Sequence, residues 1–199
     1  MKCIFIDTET TGLDSKKHGV IQLAGLIEVN GKLTEEFDFR MRPFPEDVID
    51  REAMKVHGVT EDEVKQWLPP AKAHEGFIEL LSRYVDRYEK TDKLHWVGYN
   101  AYFDVDVTRE WFKKNNDRYF GSWFFHPPLD VMLLAAYALR AERPRIPNFS
   151  LTTVAEHIGV TVDKEKAHGA LYDAKLAKDV FVQVERRIAD EVREALELG

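Results

Sequence analysis

Asp7 and Glu9 are the first residues of the chain that can do chemistry together. They follow Cys3-Ile4-Phe5-Ile6, an apolar run that reads as a strand buried on both faces. Side chains alternate along a strand, so two acids spaced by two project from one face at its C-terminal end. Carboxylates that close together are costly there unless a cation or a shared proton compensates for their repulsion. Gly12 then turns the chain, which leaves the pair in a crevice beside a loop. A divalent metal is one use for such a pair. Two solvated acids at a loop end, with Thr10 and Thr11 as turn residues, are the other.

Further acids lie far along the chain. Asn100 and Asp104 are four apart where a helix begins after an apolar strand, so they share one face near its N-terminal end. Their alternative reading is a capping Asn and a first-turn Asp that suits the helix dipole. In the last helix the apolar stripe runs Leu176, Ala177, Val180, Phe181, Val184, Ile188, Val192, and one turn back it lands on Asp173. A carboxylate on a buried stripe is an anomaly, since Asp is rarely buried unpaired. His168 stands five residues earlier beside Gly169, in a loop from which an imidazole can reach the same crevice. Taken singly, a histidine is more often structural, and this sequence holds seven.

The elements that must carry these residues follow in order. The polar loop Asp14 to Gly19 precedes an apolar strand, Val20 to Val29. Asn30-Gly31 is a strong hairpin signal because both positions tolerate positive φ. Leu33, Phe37 and Phe39 continue the next strand, which ends at Pro43 and Pro45, so the first three strands form an antiparallel meander. Ile49 to Val56 is a short helical stretch with Gly58 at its end, and Thr60 with Glu63 makes a capping box. Pro69-Pro70 breaks the chain, and Phe77, Leu80, Leu81, Tyr84, Val85 and Tyr88 recur at helical spacing as one amphipathic helix. Leu94 to Val97 reads as a short strand, Asn100 to about Lys114 as helix, and Trp123 to His126 as a last strand before Pro127-Pro128. Asp130 caps a helix through Leu139, Ser150 caps Leu151 to Ile158, and one long helix runs from about Ala170 to Leu198. Hairpin strands followed by strands alternating with helices imply an α/β protein, a mixed sheet with helices on both faces.

The totals bound the class. A chain of 199 residues is expected to be a single domain over residues 1–199. With 44% hydrophobic and 32% charged residues it has the composition of an ordinary globular protein. No apolar run reaches membrane-spanning length and no secretory leader pattern opens the chain, so no membrane partner is expected. The one cysteine, Cys3, lies in the buried strand and reads as a small hydrophobe, and a cytoplasmic location is expected by default. The formal net charge of −7 argues against nucleic-acid binding by bulk positive charge. It leaves open a binder whose positive charge arrives as bound metal.

Three segments carry a resemblance. Asp7-Thr8-Glu9-Thr10-Thr11-Gly12-Leu13, Asn100-Ala101-Tyr102-Phe103-Asp104 and His168-Gly169-Ala170-Leu171-Tyr172-Asp173 resemble the three motifs of the DEDD exonuclease superfamily. The histidine five before the last Asp marks the DEDDh branch, to which proofreading epsilon subunits of bacterial DNA polymerase III belong. D-x-E and Asn-x-x-x-Asp are each weak signals, but all three in order, spanning Ile4 to about Val184, are specific. The resemblance implies a ribonuclease H-like fold with a five-stranded mixed sheet. It implies that Asp7, Glu9, Asp104 and Asp173 hold two divalent ions, Mg²⁺ or Mn²⁺, with His168 as general base. The implied reaction is hydrolysis of nucleic acid from its 3′ end, releasing nucleoside 5′-monophosphates.

The same resemblance places Leu13 between the last two bases, Thr10 by the terminal sugar, Phe103 under the last nucleotide and Asn100 facing the backbone. Val56-His57-Gly58-Val59-Thr60 resembles the family's HG-[IV]-T segment, which sets His57 beside the terminal nucleotide, while helix-stop and capping grammar explains it equally well. Lys16, Lys17, Arg109, Lys113, Lys114 and Arg118 are phosphate contacts or ordinary solvated charge. The chain ends at Gly199 directly after the long helix, with no obvious polymerase- or clamp-binding tail, so a free-standing enzyme, or one whose partner uses another surface, is expected. Nothing in the sequence speaks to its oligomeric state.

Four carboxylates are hard oxygen ligands suited to Mg²⁺ or Mn²⁺ and poorly suited to structural zinc. The partner is expected to be the 3′ end of DNA, with an exoribonuclease of the ribonuclease T or oligoribonuclease type as the alternative. A non-catalytic binding module is a third reading, but all four acids and His168 are present. A two-carboxylate glycosidase on Asp7 and Glu9 would leave Asp104, Asp173 and His168 without roles.

Overall fold

In the computed structural model, which describes residues 1–165 and 169–197, the apolar N-terminal run is the middle of the sheet. β1 (Lys2–Thr10) pairs antiparallel with β2 (Val20–Val29), and β2 pairs antiparallel with β3 (Lys32–Arg40). On its other side β1 pairs in parallel with β4 (His95–Gly98), which pairs in parallel with β5 (Leu129–Asp130). Among the described residues the strand order is β3-β2-β1-β4-β5. Asn30 and Gly31, with φ of 53° and 74°, make the tight turn between β2 and β3 that their residue types call for.

Alternation along β1 divides it between two cores. Ile4 and Ile6 face α3 (Pro70–Ser82) and α4 (Ala101–Lys114), packing with Phe77, Leu80, Val105, Trp111 and Phe112. Cys3 and Phe5 face α6 (Val131–Ala138), α7 (Leu151–His157) and α8 (Ala170–Glu197), packing with Val131, Val154, Leu176, Val180 and Phe181. Burial pushes the Cys3 thiol up to about 11, with the charges of Glu28 and Glu185 adding to the effect, so it behaves as a hydrophobe. Each fully buried side chain of this kind contributes about 1.5–3 kcal/mol. No helix among the described residues is long and apolar enough to cross a membrane.

The smaller elements follow their local signals. Asp50 caps α1 (Arg51–Val56), and Thr60 and Glu63 close a reciprocal capping box on α2 (Glu61–Val64). Asp130 accepts the N–H groups of Met132 and Leu133 at the head of α6, and Ser150 accepts that of Thr153 in α7. A short helix, α5 (Phe120–Trp123), leads to the last strand.

Pro70 follows the break in the chain and opens α3, where its missing N–H removes no intrahelical bond. Two expectations are corrected. That helix ends at Ser82, short of Tyr88, because Asp86 starts a turn: its carboxylate accepts the Tyr88 N–H and its own N–H goes to Asp92. The last strand is Leu129–Asp130, after the prolines; before them Phe124 makes one isolated bridge to Leu94. Prolines lack the donors a ladder needs, so regular pairing resumes beyond them.

A buried ion pair ties the loops near the end of β1 to α4. Lys114 Nζ meets the carboxylate of Asp47, whose side chain is 1% exposed and also accepts the Phe44 N–H at 2.9 Å. Removing one member of such a pair leaves a buried charge uncompensated. Lys114→Met is therefore expected to lower the unfolding free energy by about 3–5 kcal/mol in urea denaturation. A loss under about 1 kcal/mol would show that water reaches Asp47 easily.

Candidate active site

Asp7 and Glu9 occupy the last turns of the pleat in β1, both half-buried and both on the face that looks towards α8. Gly12 then reverses the chain without a side chain, and the His18 ring fills the place a Cβ would take. The parallel pairing of β1 with β4 brings the C-terminal end of β4 alongside, and α4 starts there. Asn100 makes the junction in the left-handed conformation, φ 62° and ψ 43°, and its side chain makes no cap hydrogen bond. This removes the capping reading for Asn100. One turn on, Asp104 is 3% exposed, and its Oδ1 accepts two bonds from Thr8: the N–H at 3.0 Å and the hydroxyl at 2.7 Å. From the opposite face of the sheet, Asp173 enters in the first turn of α8, half-buried, its N–H bonded to the Gly169 carbonyl at 3.0 Å.

The charges of these four acids act on one another. Burial raises the Asp7 carboxyl well above the usual range, and the neighbouring charges of Asp104, Glu9 and Asp173 raise it further. Glu9 is pushed up to about 8 by burial and by Asp173 and Asp104. Asp104 reaches about 7: burial raises it, the two Thr8 bonds hold it down, and Asp130 raises it. Every contribution to Asp7 and Glu9 is thus unfavourable to their ionised forms. Among the described residues, no three carboxylate, imidazole or thiol groups stand close enough to close a metal site as placed. The four acids share a crevice and an excess of negative charge without forming a finished coordination shell. Hard oxygen donors that destabilise one another in this way fit a divalent cation.

The remaining expected residues surround this crevice unequally. His57 follows α1, and its Nε2 meets the Thr10 carbonyl at the end of β1 at 3.2 Å. Burial lowers its pKa, with the Thr10 carbonyl opposing. The helix stop and the capping box are both present in this segment. Thr10 is buried and its hydroxyl donates to the Gly12 carbonyl at 2.8 Å, which fixes the turn. Leu13 is 84% exposed at the tip of that turn. Phe103 is half-buried against the α3–α4 core. His168 lies outside the described residues. Among the basic residues, Lys17, Lys113 and Arg109 pair with Asp14, Glu110 and Asp106, the behaviour of ordinary surface charge, while Lys114 is taken up by the buried pair with Asp47.

Two participants were not singled out by spacing. Thr8 lies between the two acids of β1 and faces the other way, where alternation places it against whatever element carries Asp104. Asp130 was legible as a helix cap, but its charge also bears on Asp104 from the end of β5.

The chain belongs to the Exonuclease family (RNase_T), whose model matches residues 4–181. It is 28% identical over 186 residues to the DNA polymerase III subunit epsilon of Pasteurella multocida, covering 90% of this chain and 66% of that protein. It is 25% identical over 195 residues to the ribonuclease T of Buchnera aphidicola, covering 92% of this chain and 83% of that protein. Its fold matches the zinc-bound Escherichia coli ExoI–ssDNA complex with a TM-score of 0.75 at 23% identity, over 94% of this chain and 40% of that chain. The five-stranded mixed sheet with its antiparallel first three strands is the ribonuclease H-like fold. The chain therefore spans two thirds or less of the epsilon subunit and of ExoI.

Acids whose pKa is raised on folding stabilise the folded state while protonated. That contribution is complete below the unfolded values of about 4 and is lost as pH rises through the folded values of about 7 and 8. In EDTA, Asp7→Asn is expected to melt about 2–4 °C above the wild type at pH 8.5, with the gap closing near pH 4, as read by thermal denaturation. Equal melting at pH 8.5 would mean that the acids do not repel.

Proposed function

We propose that residues 1–199 form one exonuclease domain that hydrolyses DNA from its 3′ end and releases nucleoside 5′-monophosphates. The observation that carries this reading is the convergence of Asp7, Glu9, Asp104 and Asp173, from three distant segments, on one end of β1. Asp7, Glu9, Asp104 and Asp173 would hold two divalent ions, Mg²⁺ or Mn²⁺. When bound, these would supply the charge that activates the attacking water and steadies the leaving 3′ oxygen.

The rest of the work falls to side chains of the chain itself. Asp104 is oriented by Thr8, and Asp7 and Glu9 by the strand that carries them. His168 takes the proton of the attacking water in this reading. The 3′ oxygen leaves when its bond to phosphorus breaks, and the new bond is between phosphorus and the water oxygen. Leu13, exposed at its turn, would separate the last two bases; Phe103 would pack beneath the terminal nucleotide, with Thr10 and Asn100 along its sugar and backbone. His57, seated on the Thr10 carbonyl, would sit beside the same nucleotide. The single-stranded DNA held by E. coli ExoI supports a single-stranded 3′ end as substrate. Likeness to the Buchnera ribonuclease T favours the second reading, an exoribonuclease using the same residues.

Incubation with matched 3′-labelled DNA and RNA strands, with Mn²⁺ and with EDTA, tests both. Mononucleotides are expected from DNA in Mn²⁺ and none in EDTA; faster loss of RNA would give the second reading, and no release of either would end both. Asp7→Ala is expected to abolish release with the fold intact. His168→Ala is expected to lower turnover by about 10²–10⁴ while Mn²⁺ binding persists. A collapse of Mn²⁺ binding would make His168 a ligand.

A further inference from the structure

Asp104 differs from the other acids of the crevice in how it is held. Both bonds from Thr8 fall on the same oxygen, Oδ1, and both partners are almost fully buried. The backbone N–H is fixed by β1 itself and would be there with any residue at this position. The hydroxyl is particular to Thr8: as donor to a carboxylate at 2.7 Å it completes a two-point clamp that sets the carboxylate plane. Oδ2 stays clear of the clamp and is the oxygen left to serve the crevice. Thr8 sits between Asp7 and Glu9 on the strand but projects to the α4 face, so one short segment both supplies two acids and orients a third.

We propose that the Thr8 hydroxyl is a positioning group for Asp104, preparing its free oxygen for a divalent cation. This rests on the reading of Asp104 as a metal-binding residue. A group that orients a ligand through a hydrogen bond typically changes metal affinity by about 10–100-fold when lost. Valine has nearly the shape of threonine and the same preference for strands, so Thr8→Val removes the hydroxyl with little else. Serine keeps the hydroxyl and drops a methyl.

The test is Mn²⁺ binding to the whole protein, followed by electron paramagnetic resonance of the free ion, with the melting temperature as a check on folding. Thr8→Val is expected to weaken Mn²⁺ binding about 10–100-fold, and Thr8→Ser to restore it to within about threefold of wild type. In an Asp104→Asn background, Thr8→Val is expected to weaken binding no further, since the group it orients is gone. Wild-type affinity in Thr8→Val would overturn the inference, as would equal losses in Thr8→Val and Thr8→Ser. If Thr8→Val does not fold, Thr8→Ser decides: wild-type affinity supports the hydroxyl, and a loss of tenfold or more rejects it. No Mn²⁺ binding by the wild type would overturn the metal reading itself, a result distinct from all of these.

Discussion

Mutual repulsion among carboxylates at the end of a buried strand is the constraint around which this structure is arranged. Asp7, Glu9, Asp104 and Asp173 oppose one another's ionisation, and burial adds to the effect. An arrangement of that kind does not survive on local preference. It is held because β1 is paired along its length with β2, is flanked by β4 at Cys3 to Phe5, and has a hydrophobic core on each face. Apolar packing behind the acids keeps them where their charges would drive them apart.

Chain order explains why these three segments meet. β1 and β4 run parallel, so their C-terminal ends lie at the same edge of the sheet, and the helix leaving β4 begins beside Asp7. Crevices outside the carboxyl ends of strands are where open α/β sheets place their ligands. α8 crosses the other face with Leu176, Val180, Phe181 and Val184 in the core, and that packing carries its first turn to the same end. Asp173 is thus positioned by the apolar stripe that continues beyond it, and Asp104 by the one on α4.

How far the sequence alone revealed this depends on the range of the interactions. The buried strand, the Asn30-Gly31 hairpin, the Thr60–Glu63 capping box and the Asp130 and Ser150 caps rest on contacts within a few residues, and each was legible. The alternation that placed Asp7 and Glu9 together was equally local. The end of α3 was not, because Tyr84 and Val85 keep the helical spacing while Asp86 and Asp92 build a turn instead. A two-residue β5 has no periodicity to detect. The bonds from Thr8 to Asp104, and the contact of His57 with the Thr10 carbonyl, join residues far apart in the chain, and no pattern of spacing signals either pair.

Those long-range bonds also divide labour among the acids. Asp104 is the most deeply buried, and burial is the largest influence on it, yet it is held at about 7 because Thr8 donates twice to its ionised form. Asp7 and Glu9 receive no such relief and are raised more by their neighbours. One carboxylate is therefore oriented and disposed towards ionisation by the protein, while its companions gain most from an arriving cation. That asymmetry follows from the pleat of β1: odd positions turn Asp7 and Glu9 towards Asp173, and the even position between them turns Thr8 towards Asp104. A shift of one residue in the register of β1 would exchange the two sides, removing both the acids and the clamp from their partners at once. The regular pairing of Lys2 to Glu9 with Val29 to Gln22 is what prevents it.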